Sequence, residues 1–322
     1  MKKTSKIAVF LSASVILAGA AFVIVSANRV PRPAPAPAVR EADGVRTVSA
    51  GRAPGRRPAP CPVLGVSAAV ETVCGLDRKT AGSYPARIAA FRSIQNRRNL
   101  SPEDVLSLLG YIASTNDTMR ADRTAGLKNE VLNLLRDQDP VPSRLVPLLV
   151  EMIGSGDFDA TITDYCIQHL GAMWKELADG GRRDEVRNVF ASAASRRDLP
   201  YAGTALYSLA DERNAPPECR RKLRRLTVGL ACDPSANRLA RISAIQLAAQ
   251  RGFTEVLPSV RAVLAESRSD AVLATVSVGA LGCLGGPGDV ALLESLREKG
   301  GERLRPAVEA AVARLGKTLA KE

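Results

Sequence analysis

The chain has 322 residues, a formal net charge of +12, and 46% hydrophobic but only 4% aromatic residues. That length holds one elongated repeat domain or two globular ones, and no run of alternating β-branched residues bounded by turns points to a sandwich or barrel. The charge is unevenly placed: residues 1–27 carry three Lys and no acid, residues 28–60 carry seven Arg against Glu41 and Asp43, and residues 61–322 are left with +4. The high pI therefore describes mostly the first 60 residues, and no nucleic-acid partner is expected.

Residues 1–27 read as a leader. Lys2, Lys3 and Lys6 precede a run from Ile7 to Val25 that is apolar apart from Ser12 and Ser14. A basic segment followed by an apolar one sends the rest of the chain across a membrane. Ala18-Gly19-Ala20 and Val25-Ser26-Ala27 offer small residues for a signal peptidase. The apolar run is also close to the ~20 residues that span a bilayer. Both alternatives, a cleaved signal peptide and a single transmembrane anchor, place residues 28–322 outside the cytoplasm, in the periplasm or cell envelope. Residues 28–62 form a Pro/Ala/Arg-rich linker that includes Pro31-Arg32-Pro33-Ala34-Pro35-Ala36-Pro37. Each Pro fixes φ and removes a donor, so the expectation is a disordered, semi-rigid spacer.

The third segment, 63–322, reads as helices joined by short loops. The expected spans are 66–76, 83–98, 102–114, 118–137, 142–154, 160–178 and 182–196. They continue with 201–211, 217–231, 237–250, 254–266, 270–284, 288–299 and 303–319. Ser101-Pro102-Glu103-Asp104 is a full start signal: an N-cap Ser, a Pro at the first position and acids in the first turn. Gly180-Gly181, Gly252, Gly285-Gly286 and Gly300-Gly301 read as stops. Loops this short make neighbouring helices antiparallel.

A helical phrase recurs along this segment. Its apolar anchors Leu149, Val186, Leu223, Val260 and Leu296 step by 37, 37, 37 and 36 residues, and Met152, Val189, Leu226 and Val263 keep the same register. Repetition at such a period marks units that bury their apolar faces only against their neighbours. Helices of this first type alternate with a second, Ala-rich type that ends in Leu plus Gly, as in Val278-Gly279-Ala280-Leu281-Gly282-Cys283-Leu284-Gly285. With Val146-Pro147 and Leu257-Pro258 in first-type helices, the pattern resembles the HEAT-repeat family, best from Arg238 to Gly316. The resemblance implies an all-α fold: a right-handed α-solenoid of about six antiparallel helix pairs.

Several side-chain groups are candidates for function. Arg187, Arg224, Arg261 and Arg297 each follow a core anchor directly, about 100° around the helix from it. Arg187 has Asp184, and Arg297 has Glu294, at i−3 for local pairing, an interaction contributing under ~1 kcal/mol when exposed. Arg220, Arg221, Lys222, Arg224 and Arg225 crowd one helix, with Glu218 the one nearby acid, and suit an anionic surface. Cys166 and His169 share a helix, but a metal site needs more ligands and the chain has a single His. No metal, cofactor or catalytic residue is expected. Cys219 and Cys232, ~20 Å apart on one helix, cannot form a disulfide, whereas Cys61 with Cys74 can. Cys283 reads as a buried small apolar residue. In the family, second helices line the concave surface, and the resemblance implies that Trp174 and Tyr207 stand near a groove as binding anchors. The expected function is an exported, non-catalytic protein-interaction scaffold. The alternative is an envelope module that binds anionic lipid or polymer through the basic helix, and a HEAT-like enzyme stands third.

Overall fold

The structure is a computed structural model and describes residues 65–319, apart from 77–78, 175–176, 178–179, 213–214, 267–269 and 300. The leader, the linker and Cys61 lie outside the described residues. Those residues are all-helical: α1 (Val66–Cys74), α2 (Tyr84–Ile94), α3 (Pro102–Ala113), α4 (Ala121–Arg136), α5 (Leu145–Ser155), α6 (Ala160–Met173), α7 (Gly180–Ser195), α8 (Ala202–Ala210), α9 (Pro217–Cys232), α10 (Arg238–Arg251), α11 (Leu257–Glu266), α12 (Ala271–Leu284), α13 (Asp289–Lys299) and α14 (Gly301–Leu319). A 3₁₀ turn, Thr254–Val256, precedes α11. Among the described residues, no helix is long and apolar enough to cross a membrane.

Local chemistry explains most boundaries. Ser101 caps α3 by accepting from the Asp104 N–H at 3.1 Å. Asp159 accepts from the Thr161 and Ile162 amides, and Asp270 from those of Val272 and Leu273. Gly75, Gly156 and Gly252 close their helices in the left-handed region. One expected stop is a start: Gly180 and Gly181 open α7.

The helices form seven sequential pairs among the described residues, from α1 with α2 to α13 with α14, rather than about six. The even-numbered helices pack each against the next from α2 to α14, and the odd-numbered ones do so from α1 to α11. The 37-residue register is what meets in these seams. Leu149, Val186 and Val260 have no accessible surface, and the half-buried Leu223 and Leu296 pack against the same core.

Small residues let the even helices approach closely. A Cβ on Gly171 of α6 would stand 2.7 Å from Ser208 Oγ of α8. One on Gly203 of α8 would stand 2.5 Å from Ser243 Cβ of α10, and one on Gly282 of α12 would stand 2.7 Å from Ala311 Cα of α14. The few aromatics and many alanines of the composition find their reason here, because bulkier side chains would hold these helices apart.

The first two pairs are tied by buried charge. Arg87 is 1% exposed. It donates through Nε to Val73 O at 2.9 Å and through Nη1 to Asp117 at 2.8 Å, and it lies over the Tyr111 ring. Lys128, equally buried, donates through Nζ to Ile112 O at 2.9 Å and to Ser114 O, so it caps the C-terminal carbonyls of α3. Removing one member of such a buried pair leaves the other charge uncompensated.

Gly282 tests the close approach. Gly282→Ala is expected to destabilise the protein by about 1–3 kcal/mol through overpacking, although alanine is the better helix former. Gly279→Ala, one turn away with open space around it, should be neutral or stabilising. Urea midpoints of the two variants make the comparison, and equal stability would contradict the packing argument.

Candidate functional site

Three of the four arginines that follow core anchors reach forward to the next pair. Arg187 on α7 holds Glu212, which lies ahead of α9, through Nε at 3.0 Å and Nη2 at 2.7 Å. Arg224 on α9 holds Glu255, in the 3₁₀ turn ahead of α11, at 2.6 Å and stacks on the Phe253 ring. Arg261 on α11 holds both carboxylate oxygens of Asp289, the first residue of α13, at 2.8 and 3.0 Å. Arg297, on the last helix of the type, pairs at 2.9 Å with Glu294 of its own helix. The expected local pair of Arg187 with Asp184 also forms.

These contacts move the carboxylates. Hydrogen bonding from Arg261 holds the Asp289 carboxyl below its ordinary range, and Arg224 does the same to Glu255. A second line of pairs joins the starts of the even helices: Arg197 with Asp233 ahead of α10, and Arg238 with Asp270 ahead of α12. The arginines at the edge of the apolar stripe are therefore rungs between repeats.

The basic run of α9 divides between this ladder and a cleft. Arg224 belongs to the ladder. Arg220 donates through Nη1 to Ala215 O at 2.9 Å. Arg221, Lys222 and Arg225 are exposed and make no ion pair among the described residues. Arg220, Lys222 and Arg225 line a cleft of about 450 Å³ between α7, the end of α8 and the start of α9. Arg187 and Arg251 complete its basic set, and Asp184, Glu212 and Glu218 are its acids. The floor is aliphatic: Ala191, Leu209, Ala210, Ala215 and Leu223. Such a recess falls within the size range of ligand sites, with a few polar groups over apolar walls.

The two aromatic candidates lie elsewhere. Trp174 is 2% exposed, with its ring edge-on to Phe190 of α7 at 5.5 Å. The groove position implied for it is corrected: Trp174, the C-cap of α6, keeps helical backbone and bonds to Leu170 O, and its ring is buried against α7 instead of facing an open groove. Tyr207 is half-buried on α8, where a bond with Gln250 of α10 joins the seam and burial pushes its hydroxyl up to about 12. It does not line the cleft. The cleft thus stands between the first-type helices α7 and α9, with the ends of the second-type helices α8 and α10 contributing to its lining.

Cys166 is fully buried and His169 is 5% exposed. The His169 Nε2–H donates to Asn129 Oδ1 at 3.0 Å, which leaves Nδ1 without a partner among the described residues. Burial, reinforced by Arg136, lowers its pKa to about 4. No group of three or more potential metal ligands occurs among the described residues. Cys219 and Cys232 sit at opposite ends of the unbroken α9. Cys283 is exposed and accepts from Arg314, which corrects the expectation that it is buried. No protein-family model matches the chain, and no curated protein matches it either.

The single histidine gives a clean pH readout. Unfolded, His169 takes a proton near pH 6.5, whereas folded it resists one until about pH 4. Stability should fall as pH drops across that window, by about 2–3 kcal/mol in all. His169→Gln should flatten the loss between pH 6.5 and 4, measured by urea unfolding at each pH. An unchanged pH profile would mean that the imidazole is not held neutral.

Proposed function

We propose that this chain is an exported protein-interaction scaffold without catalytic activity of its own. In this reading, residues 63–322 form a right-handed, HEAT-like α-solenoid, and residues 1–27 deliver it across a membrane as a cleaved signal or a single anchor. The pairwise stacking of the fourteen described helices supports the solenoid, because the even-numbered layer continues from α2 to α14 and the odd-numbered one from α1 to α11. The partner is another protein, with no nucleic acid involved.

One observation carries the functional part. Lys222 and Arg225, exposed and without an ion pair among the described residues, line an open cleft whose other lining is largely aliphatic. Unpaired cations beside apolar surface suit a partner that brings both charge and an apolar side chain. A second reading, binding of an anionic lipid surface through α9, draws on Arg221, which is exposed and makes no ion pair among the described residues.

The test is affinity capture from the native envelope with the wild type and with a Lys222→Glu/Arg225→Glu double variant. The scaffold reading expects a specific co-purifying protein that the variant loses. If no protein is retained while anionic liposomes bind in a salt-sensitive way, the lipid reading replaces it.

A further inference from the structure

We infer that the cleft between α7, α8 and α9 recognises an acidic–aliphatic protein segment, in which carboxylates meet Lys222 and Arg225 and an aliphatic side chain enters the floor. This inference rests on the scaffold reading and specifies the chemistry of the partner. Three features of the cleft lead to it.

The first is which cations are available. Arg187 is fully engaged by Glu212 and Asp184. Arg220 and Arg251 each donate to a backbone carbonyl, of Ala215 and Ala210. Recognition therefore falls to Lys222 and Arg225, one helical turn apart on α9, so their heads can meet two carboxylates of one segment.

The second is the balance of charge. Among the described residues, five basic and three acidic side chains line the cleft, an excess of two. That excess suits one or two carboxylates. A polyphosphate or an anionic polymer would bring more negative charge, against Asp184, Glu212 and Glu218.

The third is shape and polarity. Lys222 and Arg225 line a recess, whereas a bilayer presents a plane and engages protruding residues. The floor of Ala191, Leu209, Ala210, Ala215 and Leu223 offers nothing to a bare phosphate but buries an aliphatic side chain. The cleft already holds one carboxylate in a fork: Glu212 sits bidentate on Arg187. An incoming carboxylate meets the same kind of donor at Arg225.

The experiment uses the full-length protein in detergent against an array of octapeptides that combine Glu or Asp with Leu or Val. Each has an amide counterpart with Gln or Asn in place of the acids. Anionic vesicles run in parallel, at low and high salt. The expected result is that a subset of acidic–aliphatic peptides binds at least about tenfold better than its amide counterparts. Lys222→Glu/Arg225→Glu should abolish that preference, and Arg92→Glu, exposed on the distant α2, should leave it unchanged. Circular dichroism confirms that each variant stays folded. If peptides and their amide counterparts bind equally, or if the double variant keeps the preference, the carboxylate assignment is overturned while the scaffold reading survives. If vesicles bind and no peptide does, both fall.

Discussion

The buried side chains of the described helix pairs form one continuous core, so the seams between pairs are what joins the fold together. That constraint explains the 37-residue period. Val186 and Val260 return in phase because each must enter the same kind of groove on its neighbour. It also explains the glycines at 171, 203 and 282, since a seam between close helices has no room for a side chain at the crossing. The arginine rungs complete the seams from the outside. Each joins the flank of one first-type helix to the entrance of the next, with the buried Asp289 and the half-buried Glu212 as anchors.

The cleft follows from the same construction. A ladder that uses its arginines regularly makes the exceptions visible. On α9 the register arginine, Arg224, is taken up by Glu255, and the surplus cations have no rung to occupy. Two of them, Lys222 and Arg225, line the cleft between α7, the end of α8 and the start of α9. Structure and recognition are thus carried by different residues of one basic run, and substitution can separate them.

Much of this was legible in the sequence. The helices, the cap at Ser101 and the anchors of the phrase follow from periodicity and local capping chemistry, which act over a few residues. The rungs were not. Their partners lie 25, 31 and 28 residues ahead, because Glu212, Glu255 and Asp289 sit in connections of different length. No fixed spacing marks them. Arg87 and Lys128 look like surface charges for a related reason: what buries them is the C-terminal end of α3 and Asp117, brought in by tertiary packing. Trp174 was misplaced because what covers it is Phe190 of the next helix pair, a tertiary contact that a single helix does not reveal. The cleft was half visible, since the excess of charge at 220–225 stands out, whereas its aliphatic floor is assembled from three helices.

The central claim is that the seams are coupled by these rungs, and a double-mutant cycle on Arg261 and Asp289 tests it most directly. Arg261→Ala, Asp289→Ala and the double variant are compared by urea unfolding at neutral pH. The account predicts a favourable coupling of about 1 kcal/mol, reduced from the worth of a fully buried pair because Arg261 remains half-exposed. Additive effects, with no coupling, would show that the rung is an ornament of the surface and contradict the account.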